Sequence, residues 1–229
     1  MEQFAQVTKG LASGFATSFA LFALTLVMSL PLGMIIALCT GSRIKALSVP
    51  FKIIVWVLRG TPLLLQIFAV FYVPGLLFGF AWPMMNTGWA WFDKTFSTRF
   101  IATLAAFAVN YAAYFSEIFR GGIDGIAKGQ REAGKVLGMT RAQIFFRVIL
   151  LQVIKNILSP ISNEVMTLVK DTSLAQSIGV VELMFAANEQ LTRGLIWPIF
   201  YAGAFYLVFV GILTLAFGAA ERKLKYFKV

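Results

Sequence analysis

The sequence predicts an all-α, polytopic membrane protein with five transmembrane helices, and three observations carry that prediction. Of 229 residues, 59% are hydrophobic and 13% charged, with a mean hydropathy of +0.81, about half the charge of an average soluble domain. Residues 10–42, 60–92, 100–116 and 194–220 contain no Asp, Glu, Lys or Arg. Each run is close to or above the ~20 residues a helix needs to cross hydrocarbon. The charge is also lopsided, with 20 Lys and Arg against 10 Asp and Glu. Fifteen of the basic residues fall in Arg43–Arg59, Arg120–Lys155 and Arg222–Lys228. Such clusters mark cytoplasmic loops rather than affinity for nucleic acid, since basic and aromatic residues do not interleave outside the apolar runs.

The first span is expected over about residues 17–39. Pro31 and Gly33 lie inside it, which a membrane helix tolerates when neighbours satisfy the freed carbonyl. Upstream, Lys9 is the only basic residue and the apolar stretch is too long for the core of a cleaved signal. Cys39 reads as a small apolar residue of this helix. The second span, about 60–78, is expected to start with Thr61 as N-cap and Pro62 as first helical residue. The third covers about 98–117 and the last about 196–219. The N-terminus and the Trp-rich segment Pro74–Arg99 read as outside, and the basic C-terminus as cytoplasmic. Ends on opposite sides require an odd number of crossings, which places a fifth at about 153–173. One transmembrane domain, 1–229, is expected to hold them all.

That fifth span carries Glu164, Lys170 and Asp171. An ionised group at the bilayer centre costs roughly 2.5–3.5 kcal/mol on insertion scales, so such groups face a polar interior. Glu164 and Asp171 are seven residues apart, within about 20° on one helix face, while Lys170 lies about 100° away from Asp171. One reading puts these groups at the membrane surface or against another subunit; the other makes them the wall of a translocation pathway.

Residues of about 120–150 form a loop longer than a connector needs. Ile126, Ala133, Val136 and Leu137 are expected to make one apolar face of a short helix, Gly138 its left-handed end, and Thr140 the cap of a second helix starting at Arg141. This helix, turn, helix unit reads either as an interfacial element or as a docking knob for a cytoplasmic partner.

The stretch EAGKVLGMTRAQIFFRVILLQ, Glu132–Gln152, resembles the EAA loop of ABC importer permeases. Glu132, Ala133, Gly138 and Leu150 match in register; Gly134 replaces the second Ala, Val148 the Ile and Leu151 the Pro. RGTPLLLQ (59–66), NYAAYFSEIFRGGI (110–123) and NEVMTLVKDTSLAQSIG (163–179) are similar to the polar amino acid subfamily, in the expected order. The resemblance implies a type I ABC importer-like permease of the bacterial cell membrane. Glu132, Ala133, Gly134 and Gly138 would then couple to a separate ATPase subunit dimer. It further implies a second permease copy, identical or similar, and an extracytoplasmic amino acid-binding protein. No GxxxxGK[ST] phosphate loop occurs, so no cofactor is expected in this chain, ATP and Mg being bound by the partner.

One Cys and no His exclude a disulfide framework, a Cys-based zinc site and His-dependent nucleophilic catalysis, so a transport subunit is expected rather than an enzyme. An amino acid site needs opposite charges a few ångströms apart in a partly dry cavity. The candidates are Glu164 and Asp171 for a guanidinium or ammonium, and Lys170, the Thr61 hydroxyl or the N–H groups near Thr61 and Leu63 for the carboxylate. Asn163 and Thr167, on the same span, are further substrate-binding candidates. The resemblance implies that this span lines the substrate path, and the retained Glu164 points to a cationic or neutral polar amino acid: arginine, lysine, histidine or glutamine. Tyr111 and Tyr114 are read as core in preference to ligand contacts, and Arg59 as an interfacial anchor or subunit contact. The alternative function is an ion-coupled secondary carrier or channel without nucleotide, with Glu164 and Asp171 binding protons or cations. A purely structural scaffold leaves the acids and the long loop without a use.

Overall fold

The computed structural model describes residues 1–83, 93 and 95–224, and within them the chain is helical with no strand. Residues 84–92 and 94 of the Trp-rich segment and the tail residues Lys225 and Lys228 lie outside the described residues. Four helices are long and apolar enough to cross a membrane, or five spans if a bent pair is counted as one.

Helix α1 runs Glu2–Thr40. At 1.5 Å per residue its 39 residues reach about 58 Å, nearly twice the hydrocarbon thickness. The helix therefore begins well before the span expected from residue 17. Its first turns pack Val7 and Leu11 against Leu183, Ala187 and Ala202 in a small second core. Helix α2, Lys45–Gly60, was not expected as an element; it meets α3, Leu63–Phe78, at a 111° break. Pro62, with φ −61° and ψ 135°, is the cap of α3 and not its first helical residue, while Thr61 ends α2. The Thr61 hydroxyl donates back to the Val57 carbonyl at 2.9 Å, and its oxygen accepts from Gln66 Nε2 at 2.8 Å instead of from the first N–H groups of α3.

Helix α4, Thr98–Asp124, is the centre of the molecule. Ser97 caps it by accepting from the Phe100 N–H at 3.3 Å. It buries Phe100, Phe107, Tyr111 and Phe115 among small residues such as Ala102, Ala106, Ala112 and Ala113. Small side chains let membrane helices approach closely, where dispersion rather than hydrophobic burial drives packing. The fit with α1 is tight at Gly33, where a Cβ would come within 2.9 Å of the Phe115 Cβ and 3.0 Å of the Ala112 carbonyl oxygen.

Beyond α4 come α5, Lys128–Val136, and the single turn α6, Arg141–Ile144. A π turn, Phe145–Ile149, leads without interruption into α7, Leu150–Asp171, and a 3₁₀ segment follows over Thr172–Ile178. Helix α8, Leu183–Thr192, connects to the final span α9, Trp197–Leu224. Apart from Pro198 and Ala202, α9 buries little, and Phe200, Leu207, Val208, Ile212 and Leu215 stand exposed as an apolar surface.

Candidate substrate cavity and coupling element

The break between α2 and α3 interrupts the helical ladder, and the carbonyls it frees need partners. Two amides supply them. Gln66 Nε2 donates to the Leu58 carbonyl at 2.7 Å and to Thr61 Oγ1 at 2.8 Å. Asn110 of α4 donates to the same Leu58 carbonyl at 3.3 Å and to Gln66 Oε1 at 3.0 Å. The corner Thr61–Pro62–Leu63 is thereby tied to the central helix.

That corner forms one wall of a cavity of about 370 Å³, lined also by Asn110, Tyr111, Tyr114, Glu164, Thr167, Asp171 and Leu174. The volume lies within the range of small-molecule sites. The structure thus brings Thr61, Glu164, Thr167 and Asp171 together from α2 and α7. Asn163 and Lys170 do not line the cavity: both are exposed, turned by about 100° from Glu164 and Asp171 respectively.

The two carboxylates differ in their partners. Asp171 Oδ2 accepts a 2.7 Å hydrogen bond from the Tyr111 hydroxyl. Glu164 accepts no hydrogen bond and has no ion pair among the described residues. Thr167 spends its hydroxyl proton on the Asn163 carbonyl at 3.0 Å, so its oxygen is left to accept. Tyr111 is both core and cavity wall: 2% exposed, stacked in the α4 aromatic row, with its hydroxyl turned to Asp171. Sequence reasoning passed over Asn110, whose signal is a lone amide in an apolar, charge-free run. Arg59 stands at the end of α2, 5.3 Å above the Tyr114 ring and 3.9 Å from Glu117, which also pairs with Arg120.

The second candidate element is the α5–α6 unit. Ile126 is buried in the main core, whereas Val136 and Leu137 are 87% and 78% exposed, so they do not share one packed face with it. Ile126 precedes the helix, which starts only at Lys128. Glu132 and Ala133 are exposed; Gly134 is buried against Ile144, where a Cβ would meet the Ile144 Cγ1 at 2.7 Å. Gly138 takes φ +72°, with its N–H on the Lys135 carbonyl and the Met139 N–H on the Gly134 carbonyl. These are the two bonds of a Schellman turn. Thr140 and Gln143 close a capping box at the start of α6.

A bundle of apolar spans around a polar cavity, with a rigid helical knob beyond the spans, defines a membrane transport permease. The family described as binding-protein-dependent transport system inner membrane component matches residues 29–225, and the chain belongs to it. Members are non-enzymatic ABC transporter permeases of multi-pass architecture. The chain is 36% identical to the L-cystine transport system permease protein TcyB of Bacillus subtilis (strain 168), over 93% of this chain and 86% of that protein. It is 34% identical to the arginine transport system permease protein ArtQ of the same organism, over 93% and 91%. The octopine transport system permease protein OccM of Rhizobium radiobacter is 32% identical over 94% and 86%. Among solved structures, an amino acid ABC transporter crystallised with histidines superposes with a TM-score of 0.81 at 29% identity, covering 96% of this chain and 97% of that one. The MetNI methionine ABC transporter shares the fold at 16% identity and a TM-score of 0.65.

Proposed function

We propose that the chain is the membrane-spanning subunit of an ATP-driven importer of a polar amino acid, cationic or neutral. The observation that carries this reading is Glu164, a carboxylate with no hydrogen bond or ion pair among the described residues, in the lining of a 370 Å³ cavity beside the Tyr111-held Asp171. A guanidinium or ammonium would satisfy Glu164. The substrate carboxylate would meet the Leu63 N–H on the cavity wall, where α3 begins. The names of the arginine and octopine permeases support the cationic choice.

Glu132, Ala133, Gly134 and Gly138 would dock an ATPase subunit dimer, whose closure reaches the cavity through the continuous helix from Arg141 to Ile178. A second permease copy, an extracytoplasmic binding protein and a bacterial cell membrane complete the assembly. Uptake of a panel of labelled amino acids by the reconstituted complex tests the reading. Glu164→Gln should lower uptake of the preferred cationic amino acid about 10- to 100-fold, the worth of a charge-assisted contact, with ATPase assembly intact. Unchanged uptake overturns the assignment of Glu164, and uptake driven by an ion gradient without ATP overturns the ATP-driven mechanism.

A further inference from the structure

A second polar cavity, about 630 Å³, opens between α5, α6 and the turn that follows α1. Four cations line it: Arg43, Arg131, Lys135 and Arg141. No acid shares the lining, and none of the four has a carboxylate within 4.0 Å among the described residues. Like charges gathered around a cavity repel one another, and a bound anion offsets that cost. The floor is different in kind, being made of Ile144, Phe145 and Ile149 at the start of the α7 span. Ile144 and Ile149 are buried, Phe145 is 43% exposed, and its neighbour Phe146 is 63% exposed.

The cavity also has a defined depth. Arg43 follows the last residue of the α1 span, Thr40, by three positions. Ile144, Phe145 and Ile149 lie near the start of the Arg141–Ile178 span, so the cavity sits where the end of one candidate membrane span meets the start of another. We propose that this cavity holds the phosphate headgroup of an anionic phospholipid, with the acyl chains lying along Phe145 and Phe146. Basic pockets between membrane helices recognise headgroups in this way. The lipid would tie the coupling helix, through Arg131 and Lys135, to the end of α1, through Arg43. Of the residues assigned to the ATPase subunit, Ala133 lies about 160° around the helix from both Arg131 and Lys135, which leaves the opposite face of α5 for that subunit.

The test uses the purified transporter complex in phosphatidylcholine nanodiscs, titrated with phosphatidylglycerol and, separately, with inorganic phosphate, with bound lipid read by native mass spectrometry. The wild-type complex should retain phosphatidylglycerol through washes that strip phosphatidylcholine, and millimolar phosphate should not displace it. Arg43→Gln and Arg141→Gln, both off the coupling helix, should each weaken retention about fivefold. Equal retention of both lipids by the wild type overturns the proposal, and so does unchanged retention in the double variant. Displacement by inorganic phosphate alone would make the site one for a soluble anion, and loss of the ATPase subunit from either variant would make the cations a protein contact; both outcomes overturn the lipid assignment.

Discussion

Tyr111 and Glu182 are the two residues at which a single polar atom decides the behaviour of a helix. The Tyr111 hydroxyl orients Asp171, so Tyr111→Phe keeps the ring packing and frees Oδ2. Half-saturating substrate concentration should change about 3- to 10-fold, the worth of one hydrogen bond to a charged group, with little change in expression or thermal stability. Initial uptake rates over a substrate series check this. Glu182 lies between spans, fully buried, and caps α8 by accepting from the Met184 and Phe185 N–H groups at 2.9 and 2.7 Å, and from Ser18 at 3.2 Å. Burial outweighs these donors and pushes its carboxyl up to about 7. A raised acid binds its proton more readily folded than unfolded. Its stabilisation is therefore complete below the ordinary carboxylate range and is lost as pH rises toward about 7. The unfolding midpoint in detergent should fall between pH 5 and pH 8, and Glu182→Gln should flatten that slope; a slope that survives the substitution overturns the assignment. Nothing in the sequence distinguishes Glu182 from a surface acid, because its partners Ser18 and Tyr206 are distant in the chain. Glu164 and Asp171 were legible because a spacing of seven fixes a shared face whatever packs against it.

At the scale of elements, turns governed by local chemistry were readable and those governed by neighbours were not. Gly138 and Thr140 form the left-handed turn and the cap that the sequence predicts, since both depend only on residues within one turn. Gly138→Val forces a β-branched residue to φ +72° and should reduce co-purification of the ATPase subunit or its stimulated hydrolysis. Normal values of both remove the coupling assignment. Helix α2 escaped prediction because its charges, Lys45, Lys52 and Arg59, recur every seven residues on one face and make an ordered helix look like a basic loop. The corner after it depends on Gln66 and Asn110, two residues from different helices, for its shape. Gln66→Leu keeps the volume but leaves the Leu58 carbonyl with only the longer Asn110 bond. It should weaken substrate binding about tenfold, while Gln66→Glu, which keeps the acceptor for Asn110, should fall between the two.

At the scale of the whole molecule, the bent pair decides how the chain lies in its membrane. If α2 and α3 together cross once, the spans number five and the two ends lie on opposite sides. If the pair enters and returns, the spans number four and the ends share a side. The distribution of charge favours the first arrangement. Arg43 precedes α2 and Lys45 begins it, Arg120 precedes α5 and Lys128, Arg131 and Lys135 lie on it, and Arg222 and Lys223 end α9, so each basic group would face the cytoplasm only with five crossings. In a Cys39→Ser background, Thr8→Cys should react in intact cells with an impermeant maleimide, while Leu137→Cys and Glu221→Cys should react only after permeabilisation. Leu137 is 78% exposed, so protection there reports the membrane and not burial in the fold. Labelling of Thr8→Cys and Glu221→Cys from the same side would make the pair re-entrant. The cavity wall at Thr61 would then be the tip of a hairpin instead of the kink of a single crossing.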